Sequence, residues 1–314
     1  MPHPLADWAR LLALTLMWGS AFLLTKVAVS ALDPDLVVAG RLLVACVLLV
    51  PWALLRLTRG DCDGFWRARL WLFLLLIAVF GNALPFSLIA WGQQRVDSGI
   101  AGILMAVMPL ATLGLSHYLV PGERLTPYRV AGFAFGFLGV LVLLGPDALR
   151  DATETEGKLL PMLAILGGAL CYAISAILAR LRPPSGALPS AAATTLLAAG
   201  LMLPLVLGPA DLDRAGELRG APLAAVLALG AFSTAWAAIL YFQLIKSAGP
   251  AFVSQLNYLI PLWAVAVGIL FLGERPEPNA LYALVLILGG ILLTQMERRR
   301  ALHRCTQGPR GGSR

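Results

Sequence analysis

Hydrophobic residues run along the chain in long stretches that are separated by short polar breaks. A helix needs about 20 apolar residues to cross the hydrocarbon core of a bilayer. The breaks carry helix-stopping residues, such as DPD at 33–35 and RPPSG at 182–186. The pattern predicts ten membrane-spanning helices, at residues 10–31, 36–56, 68–91, 98–120, 127–146, 160–180, 188–208, 221–245, 250–272 and 278–297. We therefore expect an all-α integral membrane protein with ten transmembrane helices.

Composition supports a membrane protein and argues against a soluble one. Hydrophobic residues make up 59% of the 314 residues and charged residues 13%, with a mean hydropathy of +0.81. Soluble domains average roughly 45–50% apolar and about 25% charged residues. A water-soluble core could not bury this much apolar surface. The connections are too short for an extramembrane domain, so we expect the function to lie within the membrane.

The placement of lysine and arginine predicts the orientation of the helices. Cytoplasmic loops of membrane proteins are enriched in these residues. With ten spans, the face that holds both termini carries 16 of the 24 lysines and arginines. Both termini are therefore expected in the cytoplasm. The net charge of +7 is explained by orientation and gives no reason to expect nucleic-acid binding. Residues 298–314 are expected to form a basic cytoplasmic tail that contacts anionic lipid.

A repeated motif divides the chain into two halves. GER occurs at 122–124 and again at 273–275, so Glu123 and Glu274 are 151 residues apart. In both copies a proline follows the glutamate by four residues and a glycine by sixteen. We expect two units, 1–150 and 151–297, of five helices each. Because five is an odd number, the second unit enters the membrane upside down, and such inverted repeats are typical of secondary carriers.

Three longer segments resemble a known family. MWGSAFLLTKVA (17–28), AGILMAVMPLATLGLSHYLVPGERLT (101–126) and AFVSQLNYLIPLWAVAVGILFLGERPEP (251–278) are similar to the paired EamA units of the drug/metabolite transporter superfamily. The resemblance implies a ten-helix exporter of amino acids or other small metabolites in the bacterial inner membrane. The second half departs from the family pattern, because CYAISAILARL (171–181) stands where the first half has a tryptophan–glycine pair.

Polar and aromatic residues within the predicted spans are the candidate substrate contacts. Polar side chains are costly inside hydrocarbon, so those present are candidates for function. They can also hold helices together, at roughly 0.6–2 kcal/mol per interhelical hydrogen bond. The candidate substrate-binding residues are Trp18, Asn82, Gln93, Ser233, Trp236, Gln243, Gln255, Asn257 and Tyr258.

Two prolines and one lysine have separate candidate roles. Pro109 and Pro261 fall within the fourth and ninth spans, where a missing backbone donor kinks a helix and could form a gating hinge. Lys26 lies in the first span, near the end that is predicted to face outward. Its ammonium group could reach the interface, pair with Asp33 or Asp35, or contact a substrate carboxylate.

The missing motifs exclude several function classes. No Asp or Glu lies deep within a predicted span, which disfavours a cationic-drug/proton antiporter and favours a neutral, zwitterionic or anionic solute. The sequence has no Walker A motif, no Cys-x-x-Cys pair and no His-Glu-x-x-His motif, so neither ATP, a metal nor another cofactor is expected. An apolar run ending in VSA at 29–31 imitates a signal peptide, but it is too long for one.

These observations predict a secondary carrier and not an enzyme. We expect it to export small metabolites, with amino acids favoured, by alternating access of the two halves. Its partners are the small-molecule substrate and the lipid bilayer, and a monomer is sufficient. The alternatives are a carrier of another neutral or anionic metabolite, such as a nucleoside, sugar or organic acid, and a membrane-embedded enzyme.

Overall fold

A computed structural model describes residues 4–58, 65–120, 126–150, 157–208 and 219–306. Within these ranges the chain is helical and contains no strand, which confirms the all-α fold class. The helices, numbered in chain order, are α1 (Leu5–Val29), α2 (Pro34–Thr58), α3 (Ala68–Gln93), α4 (Ser98–Leu119), α5 (Pro127–Arg150), α6 (Leu159–Leu181), α7 (Ala187–Val206), α8 (Gly220–Pro250), α9 (Leu256–Leu272) and α10 (Pro278–Thr306).

Each predicted span corresponds to one of these helices. Helices α1 to α8 are long and apolar enough to cross a membrane, whereas α9 and the apolar part of α10, Pro278–Thr294, are shorter apolar helices. Helix α1 begins before the expected start at 10, and α10 continues past 297. The first GER motif, with Glu123, and residues 307–314 of the expected tail lie outside the described residues.

The main helix contacts are preserved when each helix is exchanged with the one five places along the chain. Helix α1 packs against α8 and α9, and its counterpart α6 packs against α3 and α4. Helix α2 packs against α8, and α7 packs against α3. The remaining main contacts join counterparts directly, as α2 with α7, α4 with α9 and α5 with α10. The two halves therefore interlock around a shared axis.

The contact between α5 and α10 is made by glycines on both helices. A Cβ atom on Gly290 would lie 2.5 Å from the carbonyl oxygen of Gly132, and one on Gly139 would lie 2.7 Å from Ile287 Cγ1. Small residues let transmembrane helices approach closely in this way. Gly139 and Gly290 are 151 residues apart, and both of these repeat-related glycines lie at this interface.

Three helices contain breaks in the regular helical pattern, and one further break lies between α8 and α9. Near its end, α8 also leaves helical geometry at Gly249, with φ 77° and ψ 167°. Helix α3 contains a π-helical segment at Val79–Ala83, and α8 contains one at Leu229–Trp236. Helix α4 is broken at residues 106–107, and a break at residues 254–255 comes just before α9. These interruptions occur in repeat-related helices, at similar positions in the two halves.

Candidate functional site

The two π-helical segments hold three of the predicted substrate contacts. Asn82 lies in the segment of α3, and Ser233 and Trp236 lie in that of α8. Asn82 and Ser233 are 151 residues apart, the same separation as the two GER glutamates, and each lies in the π-helical segment of its helix. Single π-helical turns within α-helices occur frequently at functional sites, because the wider turn displaces side chains and frees backbone groups. Half-buried Asn82 makes no side-chain hydrogen bond within the described residues.

Trp18 and Ser233 join α1 to α8. The indole nitrogen of Trp18 donates to the carbonyl oxygen of Ser233 at 3.2 Å, and the hydroxyl of Ser233 donates to the carbonyl oxygen of Met17 at 2.8 Å. The ring of Trp18 also packs against that of Tyr241, with 5.3 Å between centroids. The hydrogen-bonding groups of both side chains are therefore engaged between helices, while part of the Trp18 side chain remains exposed.

Lys26 and Gln93 lie together at one end of the bundle, which we call the Glu274 end. The ammonium group of Lys26 donates to the carbonyl oxygens of Gln93 at 2.9 Å and Val96 at 3.0 Å. The amide nitrogen of Gln93 donates to the carbonyl oxygen of Phe22 at 2.9 Å. These bonds satisfy carbonyl groups at the C-terminal end of α3 and fix α1 against it.

The glutamate of the second GER motif caps helix α4. Gly273 adopts a left-handed conformation, with φ 65°, where α9 ends, and the chain then turns so that Glu274 faces α4. The carboxylate accepts hydrogen bonds from the backbone nitrogens of Ser98 at 2.7 Å and Gly99 at 2.9 Å. Negative charge is favourable at a helix N-terminus, where N–H groups lack internal partners. The motif thus has a physical role, which is to hold α9 and α4 together.

The predicted contacts of the ninth span surround the break before α9. Gln255, Asn257 and Tyr258 are all half-buried there. Pro261 lies within the continuous part of α9, six residues beyond the break, whereas Pro109 directly follows the break in α4. Of the two candidate hinge prolines, only Pro109 is therefore adjacent to an interruption of its helix.

Gln243 lies at the opposite end of the bundle, which we call the Lys246 end. It is exposed and lines a cavity of ≈ 360 Å³ between the ends of α2, α7 and α8, together with Arg56 and Lys246. Because Gln93 lies at the Glu274 end, Gln93 and Gln243 are far apart and cannot contact one small substrate together. Near the same cavity, Arg182, just beyond α6, donates to the Ser190 hydroxyl at 3.3 Å, and burial lowers the pKa of its guanidinium.

The structure adds contacts that the sequence pattern did not indicate. Asp7, only 1% exposed, pairs with Arg10 at 2.8 Å and accepts a hydrogen bond from Ser247 at 2.7 Å, which joins α1 to α8 at the Lys246 end. Within the spans, Arg41 of α2 meets Thr234 of α8 and Phe86 of α3. A charged residue within an apolar run was the available signal for Arg41, but no local pattern indicates its partners. The described residues contain no group of three or more His, Cys, Asp or Glu side chains that could hold a metal.

Comparison with known proteins relates the chain to a family of membrane transporters. The model of the EamA-like transporter family matches the chain twice, at residues 8–145 and 159–296. The uncharacterized inner membrane transporter YedA of Escherichia coli is 29% identical over 92% of this chain and 90% of its own length. A probable terminal-alkyne amino-acid exporter of Streptantibioticus cattleyicolor is 27% identical over 98% of both chains.

A crystal structure with 21% sequence identity superposes with a TM-score of 0.61, covering 94% of this chain and 98% of the other, and supports the fold alone. The two family matches together span both halves of the helical bundle. The chain therefore belongs to the EamA-like transporter family and is a membrane transporter.

Proposed function

We propose that the protein is a secondary carrier that exports small metabolites, with amino acids favoured, across the bacterial inner membrane. The main helix contacts, which are preserved when the two halves are exchanged, carry this proposal. A bundle built from two equivalent halves has two equivalent ways to open, one toward each side of the membrane. The named inner membrane relative supports the location.

The proposal includes ten membrane crossings. Helices α9 and Pro278–Thr294 each have 17 residues, which is within the range of about 17–25 that can span a bilayer. With these two, the unit 1–150 and the unit 151–297 contribute five crossings each, and the second is inverted relative to the first. The Glu274 end then faces outward, and the Lys246 end faces the cytoplasm, together with both chain termini and the tail 298–314.

Side-chain contacts at each end of the bundle would keep the carrier closed toward that side of the membrane. At the Glu274 end, Glu274 joins α9 to α4 and Lys26 joins α1 to α3. At the Lys246 end, Asp7 joins α1 to α8 through Ser247. Alternating access requires that the contacts of one end break while those of the other persist. The sequence has no Walker A motif, so we propose that solute gradients, and not ATP, drive the movement.

The substrate would be held between the π-helical segments and the break before α9. We propose Asn82, Trp236, Gln255, Asn257 and Tyr258 as direct contacts. Trp18 and Ser233 would form the wall beside them, since their polar groups already bond across α1 and α8. Gln93 and Gln243, at opposite ends, would line the two entrances. An amino acid is favoured because a relative carries that name and because no acid lies deep within a span.

Counterflow in proteoliposomes tests the proposal. Purified protein is reconstituted with unlabelled solute inside, and uptake of labelled amino acids, nucleosides, sugars and organic acids is measured. We expect counterflow of at least one amino acid, and a strong reduction by Trp236→Ala and by Asn257→Ala. Trp66→Ala, in the turn before α3, and Asn279→Ala, at the exposed start of α10, are the matched controls. Folded protein that moves no solute of the panel would refute the carrier function.

A further inference from the structure

Arg41 places a positive charge inside the bundle. It is seven residues into α2, about 10 Å of helix at 1.5 Å per residue. The guanidinium carbon lies 3.7 Å from the centre of the Phe86 ring, and Nε donates to the hydroxyl of Thr234 at 2.8 Å. These contacts from α3 and α8 hold the side chain between helices, so it does not extend toward the lipid headgroups.

Arg41 has no acidic partner within the part of the chain that the structure describes. Its ionisable neighbour is Tyr172 of α6, whose ring packs edge-on against Phe86 at 6.3 Å. The terminal nitrogens of Arg41 donate no hydrogen bond to a described residue, yet they are not sealed from access, because the side chain is only half-buried. The four terminal N–H groups therefore remain available to donate to a further acceptor within the spans. An unpaired charge within a membrane is costly, and such residues mark substrate or ion pathways.

We propose that Arg41 binds the carboxylate of the transported solute, an inference that rests on the proposed carrier function. The terminal N–H groups of a guanidinium match the two oxygens of a carboxylate. The Phe86 ring beneath and the Thr234 hydroxyl at Nε fix the plane of the group. One guanidinium neutralises one carboxylate, whereas a doubly charged phosphate would leave a surplus charge inside the spans.

The location of Arg41 agrees with a central binding site. Arg41 lies on α2 and its neighbours come from α3, α6 and α8, so both halves of the bundle contribute to its surroundings. Thr234 lies in the π-helical segment of α8, next to Ser233, and its hydroxyl donates to the carbonyl oxygen of Leu229 at 2.9 Å. Movement of that segment relative to α2 would therefore change the position of the guanidinium. The alternative is that Arg41 merely holds α2 against α8.

Ligand-dependent thermal stability of the purified protein distinguishes these two roles. The probes are the proteinogenic amino acids, the carboxamide of each, and inorganic phosphate. The variants are Arg41→Gln, Arg41→Lys, which retains the charge without the planar group, and Arg69→Gln, an exposed cation at the start of α3 as the control. We expect at least one amino acid to stabilise the wild type, with no effect of its carboxamide or of phosphate.

Arg41→Gln should weaken the apparent affinity for that amino acid about tenfold or more, as expected for the loss of a charged hydrogen-bonded pair. Arg41→Lys should weaken it by a smaller factor, and Arg69→Gln should leave it unchanged. If Arg41→Gln does not fold, the apparent affinity of Arg41→Lys for the amino acid distinguishes the two roles, and a weaker affinity supports carboxylate binding. A purely structural arginine would lower the unfolding temperature without ligand and leave the preference for acid over amide intact.

The inference is overturned if the Arg41 variants bind the amino acid as the wild type does, if carboxamides bind equally well, or if no amino acid stabilises the wild type. In each case, counterflow of any solute would show that the carrier function stands while the carboxylate site is wrong. Absence of counterflow for every solute of the panel would instead refute the carrier function itself.

Discussion

The cap that Glu274 provides for helix α4 can be tested by removing its carboxylate. The backbone nitrogens of Ser98 and Gly99 donate to its two oxygens at 2.7 and 2.9 Å, and both residues are buried. Hydrogen bonds to charged groups contribute about 1.5–3 kcal/mol each when they are well shielded. Glu274 is half-buried, so water can replace part of this interaction. We therefore expect Glu274→Ala to cost about 2–3 kcal/mol and Glu274→Gln, which keeps one acceptor oxygen, about 1 kcal/mol.

Thermal unfolding in detergent measures this effect. A loss of about 2 kcal/mol should lower the unfolding temperature by about 3 °C in a chain of 314 residues, because the entropy of unfolding grows with chain length. The control is Glu277→Ala, which removes an exposed carboxylate three residues further along the same connection and should have almost no effect. Equal shifts for the two alanine variants would refute the cap, and so would Glu274→Gln being as damaging as Glu274→Ala.

Three further predictions concern helix contacts. Gly290→Ala should destabilise the protein by about 1–3 kcal/mol, because the new Cβ would meet the Gly132 carbonyl at 2.5 Å. The control Gly289→Ala, whose new Cβ would have nothing within 4 Å, should leave stability unchanged or raise it. If thermal unfolding shows Gly289→Ala to be the more damaging change, the close contact is contradicted. Lys26→Met should lower the unfolding temperature, since two carbonyl groups at the end of α3 lose their donor; an unchanged temperature would show that water replaces the ammonium group. Ser233→Ala should cost about 1 kcal/mol through its bond to α1, and if it abolishes counterflow without changing stability, Ser233 contacts substrate instead.

The sequence predicted the helices well, because each span is a long apolar run that ends at a proline, glycine or charged residue. The repeat was also visible in the sequence, because the glutamate, the proline and the glycine of each copy have the same spacing in both halves. The interruptions of α3 and α8 could not be predicted, because no residue pattern in Val79–Ala83 or Leu229–Trp236 distinguishes a π-helical turn from an α-helix.

The candidate site was only partly accessible from the sequence. Polar residues such as Asn82 stand out in apolar surroundings, but their partners come from distant helices. Ser233 illustrates the limit, because its bond to Met17 crosses 216 residues of chain. The role of a charged residue within a span was equally hard to predict. Arg41 lies within a span, and only its contacts with Phe86 and Thr234 show that it is held inside the bundle.

Labelling of single cysteines from one side of the membrane tests the central claim most directly. In a protein whose four native cysteines are replaced, Arg124→Cys and Arg275→Cys mark the repeat-related GER motifs. If the two halves are inverted, a membrane-impermeant thiol reagent added to intact cells with a permeable outer membrane labels position 275, and it labels position 124 only once the inner membrane is opened. Labelling of both positions from the same side would contradict the inverted arrangement and, with it, the mechanism of alternating access.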